Sequence, residues 1–171
     1  MYFYHYHPYQ MYYPVRQEVT RAFAQIRGSE LAPNLHGYVT FMEVPYGTEV
    51  TVEVAGLPAY QPAQGDQDPI GPHGFHIHKH ANCTVGDESD PFQAAGGHWN
   101  PDNQPHGNHA GDFPVLFSND GYARMTFFTN RFRPQDVVGR SVMIHQNPDD
   151  YRSQPSGDSG KRIGCGPIKA F

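Results

Sequence analysis

The amino-acid sequence predicts an all-β fold, an antiparallel sandwich or Greek-key barrel of eight short strands with two long functional loops. The composition supports this, because 13% of the 171 residues are aromatic and 18 glycines and 16 prolines interrupt the chain. Several segments also alternate apolar and polar residues with the period of two that a half-buried strand requires. No segment sustains the 3.6-residue period of an amphipathic helix, which argues against a helical bundle.

Three strands are predicted in the first third of the chain, at residues 19–26, 37–44 and 48–54. The second and third are separated by Pro45–Gly47, and this turn predicts a hairpin. Side chains alternate across a strand, so Val50, Val52 and Val54 are expected to face the core together. The Pro-, Gln- and Asp-rich residues 57–72 are expected to form a loop.

Five further strands are predicted, at 75–79, on both sides of a hairpin over 116–129, at 141–145 and at 163–168. The hairpin turns at Asn119–Gly121, a typical turn sequence. Pro167 lacks a backbone N–H, so it is expected at the edge of the sheet. Residues 80–112 and 146–162 show no period, and unstructured segments of this length inside a compact domain are usually functional loops.

Charge and length restrict the function further. A chain of 171 residues fits one folded domain, and its formal net charge is −5 without any run of Lys or Arg. Nucleic acid is therefore not expected as a partner, and an anionic substrate would need a local positive patch. No stretch approaches the 18 apolar residues of a membrane span.

The N-terminal residues differ in composition from the rest. Residues 1–15 contain six of the eleven tyrosines, together with two histidines and two prolines, and they show no period. We therefore divide the chain into a Tyr/His-rich arm, 1–15, and one folded domain, 16–171. The arm has neither the basic start nor the apolar core of a secretory signal, so no signal peptide is visible in this chain.

Six histidines and one aspartate form the most informative pattern. His76 and His78 lie on one predicted strand, and a His-x-His pair projects both imidazoles to the same face. The other members follow at His98, His106, His109, Asp112 and His145. Imidazole nitrogens suit copper and zinc, and a carboxylate added to three histidines favours zinc over copper. The pattern predicts two adjacent metal ions.

The chain has two cysteines, Cys83 and Cys165. Their separation fits neither a Cys-x-x-Cys redox motif nor a cysteine-rich zinc site. From the residues alone, two buried free thiols and a disulfide both remain open.

Together these motifs resemble the bacterial copper–zinc superoxide dismutases over residues 19–168. The resemblance rests on GFHIH, GGHWNP, HG, HAGD, an IH followed by DDY, and KRIGCG, in this order. It implies an eight-stranded Greek-key barrel with a metal-binding loop and an electrostatic loop. It also implies a superoxide dismutase, which converts superoxide into dioxygen and hydrogen peroxide by alternating reduction and oxidation of copper.

The resemblance implies a role for each motif residue. Copper ligands would be His76, His78, His98 and His145, and zinc ligands would be His98, His106, His109 and Asp112. His98 would bridge the two ions and move a proton, while Arg162 would guide the anion. Asp149 would hydrogen-bond one histidine of each site, and Cys83 and Cys165 would form a disulfide.

The sequence departs from the commoner family pattern in the zinc loop. Only Gly107 and Asn108 separate His106 from His109, where many relatives have several more residues. Gly107 is expected to make the short loop feasible by adopting a positive φ, and zinc affinity or geometry is expected to differ. The histidines at 36, 73 and 80 match no ligand position and are expected to be structural or solvent-facing.

Two alternatives belong to other functional classes. A non-catalytic copper- and zinc-binding structural protein on the same fold would be favoured by loss of a copper ligand, but all four are present. A zinc hydrolase would need an acid beside a three-histidine open site, and none is evident.

The resemblance also bears on location and assembly. A disulfide implies an oxidising compartment, so an extracytoplasmic location is expected, whether secreted, cell-surface or spore-coat. The family resemblance allows a homodimer.

Overall fold

The fold is all-β, as the sequence predicts. The structure is a computed structural model that describes residues 19–171. Within that range seven strands form, namely β1 (Arg21–Gly28), β2 (His36–Val44), β3 (Gly47–Ala55), β4 (Phe75–His78), β5 (Ala123–Thr129), β6 (Ser141–His145) and β7 (Arg162–Ala170). The helical content there is a 3₁₀ turn, Gln93–Ala95, and one short helix, α1 (Pro134–Val137). No helix in the described part is long and apolar enough to span a bilayer.

The strands form one antiparallel sheet in the order β4-β6-β7-β1-β2-β3-β5. The sheet is curled, because apolar residues from strands near its two ends share one core. Phe75 and Ile77 of β4 belong to the same buried cluster as Val50 and Val52 of β3. Curling packs the apolar side of the sheet against itself and removes it from water, which is the main stabilising contribution in a fold of this kind.

The β2–β3 hairpin agrees closely with its prediction. Its strands pair from His36↔Ala55 to Val44↔Gly47, so the turn contains just Pro45 and Tyr46. Val50, Val52 and Val54 are buried as expected. Strong alternation makes such a hairpin predictable, since a one-residue slip would turn every valine towards solvent.

The predicted eighth strand is wrong. The first arm of the predicted 116–129 hairpin forms no continuous ladder with β4. Leu116 makes an isolated bridge with His73, which precedes β4, and His76 of β4 makes one with Asp112, which precedes the arm. The two bridges differ in register by one residue, and Pro114 lies between them without an N–H to donate. The regular strand therefore begins only after the turn, at Ala123.

Pro167 also contradicts its prediction. It lies in β7, which is an inner strand between β6 and β1. The ladder between β7 and β1 is interrupted here, because Ile168 pairs with Ala24 and the next pair is Cys165 with Arg27. The missing donor is accommodated by a local gap in the ladder and does not require an edge.

Two long loops cover the outer side of β4 and β6, whose residues are all buried. Residues 80–112 form the metal-binding loop and 146–162 the electrostatic loop. A disulfide joins Cys83 in the first loop to Cys165 in β7, with Cα atoms 5.6 Å apart. Around it packs a second, smaller buried cluster that includes Phe92 and Met143.

Candidate metal centre

The β4 strand supplies the first two ligand candidates. Phe75 and Ile77 face the core, so His76 and His78 face outward beneath the two loops, as period-two alternation predicts. His145, at the end of the neighbouring strand β6, turns to the same side, and its Nε2 lies 3.3 Å from His78 Nε2. His98 lies in the metal-binding loop and is held beside His78 by an isolated β-bridge between the two residues.

Three groups of side chains hold potential ligand atoms within 4.8 Å of one another, close enough to share an ion. One group is His76, His106 and Asp149. The other two are His76, His78, His98 and His145, and His98, His106, His109 and Asp112. His98 belongs to both of these larger groups. The structure thus brings together all seven residues that the sequence analysis singled out as ligands.

Hydrogen bonds to backbone carbonyls determine which ring nitrogen of His78 and of His145 remains free to bind a metal. His78 Nδ1 donates to the Gly96 carbonyl at 2.8 Å, and His145 Nδ1 donates to the Gly160 carbonyl at 3.2 Å. Each ring therefore presents an unprotonated Nε2 to the centre. Orientation of ligand rings by backbone carbonyls is typical of metal-binding histidines.

Asp149 connects the two groups. Its Oδ2 accepts from His76 Nε2 at 2.5 Å and its Oδ1 accepts from His106 Nε2 at 2.9 Å. The Nδ1 atoms of both rings are consequently left unprotonated and point to the centre. Gly157 passes directly over this bridge, where an added Cβ would lie 1.9 Å from Asp149 Oδ1. Glycine is needed there for space, and its φ of 68° also favours it.

In the group His98, His106, His109 and Asp112, the three imidazoles are arranged around the Asp112 carboxylate. Its Oδ1 lies 3.1 Å from His98 Nδ1 and 3.2 Å from His109 Nδ1, and its Oδ2 lies 3.3 Å from His106 Nδ1. Asp112 Oδ2 also accepts from the backbone N–H groups of Gly107 and His109. Gly107 has a φ of 88°, as the sequence analysis expected for a two-residue spacer. An added Cβ there would lie 2.4 Å from the Tyr151 carbonyl oxygen.

Unpaired buried nitrogens show that these residues fit metal ions. Among residues 19–171, four imidazole nitrogens are buried without a hydrogen-bond partner, namely His76 Nδ1, His98 Nε2, His106 Nδ1 and His109 Nδ1. An unpaired buried polar atom costs folding free energy, so a cluster of them aimed at one place requires a ligand. Imidazole and one carboxylate are the donors that copper and zinc accept.

Burial also sets the charge of the rings. Desolvation, followed by the proximity of His98, holds the pKa of His76 well below its usual value. Desolvation likewise lowers the pKa of His78, and it lowers that of His145 to about 3. Neutral imidazole is the form that binds a metal, so the fold prepares these ligands before any ion arrives.

Arg162 lies at the opening of the centre. It lines a cavity of about 260 Å³ together with His78, His98 and His145. Its Nη1 donates to the Phe92 carbonyl at 2.8 Å and its Nη2 donates to the Gly96 carbonyl at 2.9 Å. Both acceptors belong to the loop that the Cys83–Cys165 disulfide anchors. The same loop segment therefore holds both Arg162 and the ring of His78.

The remaining histidines lie outside both groups. His36 and His80 are exposed, in agreement with the sequence analysis. His73 is fully buried, and its Nδ1 lies 2.9 Å from the His145 carbonyl oxygen. It is therefore structural and not solvent-facing, because the turn before β4 packs beneath the barrel wall.

The sequence analysis did not identify two residues that contact the loop segment 106–109. Gln154 accepts from the backbone N–H of His106 at 2.8 Å, and Arg131 donates to the His109 carbonyl at 2.8 Å. Neither residue belongs to a motif, and both reach the loop only through tertiary folding. No signal in the sequence marks them.

Comparisons with known proteins agree on one family. The family model described as copper/zinc superoxide dismutase (SODC) matches residues 35–168. The superoxide dismutase [Cu-Zn] of Deinococcus radiodurans is 40% identical over 152 residues, covering 79% of this chain and 78% of that protein. The superoxide dismutase [Cu-Zn] of Legionella pneumophila is 39% identical over 141 residues, covering 78% of this chain and 77% of that protein.

Solved structures give the same result. The Cu/Zn superoxide dismutase from Brucella abortus superposes with a TM-score of 0.69 at 29% identity, covering 87% of this chain and 99% of that chain. A double mutant of a SOD-like protein from Bacillus subtilis superposes with a TM-score of 0.66 at 29% identity, covering 84% and 94% of the two chains. Its two histidine-rich clusters share His98, and this chain belongs to the copper/zinc superoxide dismutase family.

Proposed function

We propose that His76, His78, His98 and His145 bind the copper of this superoxide dismutase, and that His98, His106, His109 and Asp112 bind its zinc. The observation that carries the assignment is the group of four buried imidazole nitrogens without partners. Bound copper supplies one-electron oxidation and reduction, and bound zinc supplies a fixed positive charge beside it. The protein converts superoxide into dioxygen and hydrogen peroxide.

The side chains divide the remaining work. Arg162 attracts superoxide and orients it with its planar donor fork. His98 Nε2 would take up a proton from solvent in one half of the reaction and donate it to the oxygen species that is reduced in the other half, and solvent would supply the second proton of hydrogen peroxide. Asp149 and the carbonyls of Gly96 and Gly160 keep the other rings in a single tautomer, so their ligand nitrogens remain aimed at the centre.

Metal analysis tests the assignment of the two groups. Protein loaded with both ions is expected to hold one copper and one zinc per chain, and Asp112→Asn should lose zinc before copper because the carboxylate belongs to one group alone. The measurement is elemental analysis after gel filtration, combined with superoxide decay followed optically. Loss of both ions to the same extent in Asp112→Asn would contradict separate sites.

We propose Arg162 as the residue that guides the anion to copper. The rate is expected to fall severalfold in Arg162→Ala and further in Arg162→Glu, while copper content stays the same. It should also decrease with ionic strength, because salt screens long-range attraction. Lys169→Glu, an equal charge change at an exposed position at the other end of β7, is the control and should retain the rate. An unchanged rate in Arg162→Glu would remove Arg162 from the mechanism.

We also propose where the enzyme is located, how it assembles and how its chain is divided. The Cys83–Cys165 disulfide supports an oxidising, extracytoplasmic compartment, whether secretion, the cell surface or a spore coat. The expectation of a homodimer rests on the family resemblance alone. The division into an arm, 1–15, and a catalytic domain, 16–171, rests on composition alone, because the arm lies outside the described residues. The expectation that nucleic acid is not a partner rests on the charge.

A further inference from the structure

We infer that Arg131 and Gln154 form a clamp that holds the short zinc loop, His106–His109, in its binding conformation. Both would act as positioning residues, because they contact the loop backbone and neither belongs to the ligand group. The inference rests on the zinc site proposed above. It goes beyond that proposal by naming what keeps the shortened loop in place.

The loop is poorly held by its own residues. No backbone hydrogen bond joins two residues of the loop: the N–H of Asn108 donates to the Pro105 carbonyl, and the N–H groups of Gly107 and His109 donate to Asp112. Asp112 is itself a proposed zinc ligand, so these bonds depend on the same carboxylate that would bind the ion. Gly107 adds conformational freedom at the centre of the spacer, because glycine loses the most backbone entropy on ordering.

Gln154 holds the N-terminal end of the loop from the electrostatic loop. Its Oε1 accepts from the His106 backbone N–H at 2.8 Å, and its Nε2 donates to the His106 carbonyl at 3.4 Å. The amide therefore fixes both polar groups of a residue whose ring is buried and bonded to Asp149. Backbone rotation at His106 would break all three contacts at once.

Arg131 holds the C-terminal end from the segment between β5 and α1. Its Nη1 donates to the His109 carbonyl at 2.8 Å and its Nη2 donates to Asn108 Oδ1 at 3.2 Å. The planar guanidinium thus spans two successive loop residues, a geometry that a single ammonium does not reproduce. Beside it, Arg131, Gly107 and Asp112 line a cavity of about 470 Å³.

The test is the rate at which zinc leaves the protein. Arg131→Met and Gln154→Leu are each expected to speed zinc transfer to an excess of a chromogenic chelator by about tenfold, the lower end of the effect seen when groups that orient ligands are lost. Copper content should not change. Arg131→Lys should lie between Arg131→Met and the wild-type protein, because it retains the charge and one donor.

Arg133→Met provides the matched control. Arg133 comes from the same segment, but its Nη1 donates to Glu43 and to the carbonyls of Val44 and Gly47, none of which belongs to the zinc loop. Its loss should leave the zinc release rate at the wild-type value. A cobalt(II) spectrum of each variant, with cobalt loaded in place of zinc, reports ligand geometry directly and should change in Arg131→Met but not in Arg133→Met.

The direction of the change in zinc release rate distinguishes a clamp from electrostatic repulsion of the ion. If Arg131 acted mainly by repelling the cation, Arg131→Met would slow zinc release, and that result would overturn the inference. Equal release rates in the wild-type protein, Arg131→Met and Gln154→Leu would also overturn it while leaving the zinc site intact. A wild-type protein that takes up no zinc would instead contradict the zinc ligands proposed above.

Discussion

His145→Ala is expected to reduce superoxide dismutation by more than about 100-fold, because loss of residues that merely orient a ligand already costs about 10–100-fold in metal affinity or activity. His145 is buried, and its Nε2 faces His78 Nε2 at 3.3 Å. Alanine would remove one proposed copper ligand and leave a polar cavity. The measurements are copper content and superoxide decay, each made on protein loaded with both metals.

A nearby histidine serves as the control for this variant. His80 is exposed and contributes no atom to either ligand group, so His80→Ala should retain copper and activity. Wild-type protein stripped of copper should be as inactive as His145→Ala, and reloading should restore only the wild type. Full activity in His145→Ala at wild-type copper content would refute the proposed copper site.

The Cys83→Ser/Cys165→Ser variant is expected to lower the free energy of unfolding by about 2–5 kcal/mol, since the bond closes a long loop and restricts the unfolded chain. The two residues are separated by 82 positions. For a chain of this length the loss corresponds to a decrease in melting temperature on the order of 10 °C. Calorimetry on the oxidised wild type and the variant measures the difference.

The same variant should also slow catalysis. The disulfide anchors the loop whose Phe92 and Gly96 carbonyls accept from Arg162, so its loss should loosen the guanidinium while the four proposed copper ligands remain. Wild-type protein reduced before the assay should behave like the variant. Two alkylatable thiols in fully active native protein would show that the bond is not needed.

Much of the fold could be predicted from local pattern. β2 and β3 agree with their predicted bounds to within one residue at each end, because alternation of buried and exposed side chains fixes both the strand and its register. β6 also agrees with its prediction, although its residues are all buried and show no alternation. The absence of the eighth strand could not be predicted from local pattern, because a continuous ladder also depends on the partner strand. Leu116 lies in a sequence typical of a strand, yet its pairing is a single bridge with His73, before β4, and Pro114 and a register shift separate it from the bridge that His76 of β4 makes.

The position of Pro167 shows the same limit. A residue without a backbone N–H must lie in an edge strand only if an inner strand pairs at every position. The β1–β7 ladder instead has a gap at Pro167. The sequence of β7 does not contain that information, since the gap involves Gln25 and Ile26 of another strand.

The sequence by itself determined the types and order of the candidate ligands and the common side of β4 on which His76 and His78 lie, because these follow from covalent spacing and the two-residue pleat. It also indicated that Gly107 must take a positive φ, which it does. Only the tertiary structure decided which nitrogen of each ring is free, since that depends on acceptors such as Gly96, Gly160 and Asp149 brought in from distant loops. For the same reason Arg131 and Gln154 were invisible in the sequence: a contact with a backbone carbonyl or N–H leaves no residue pattern at the partner position.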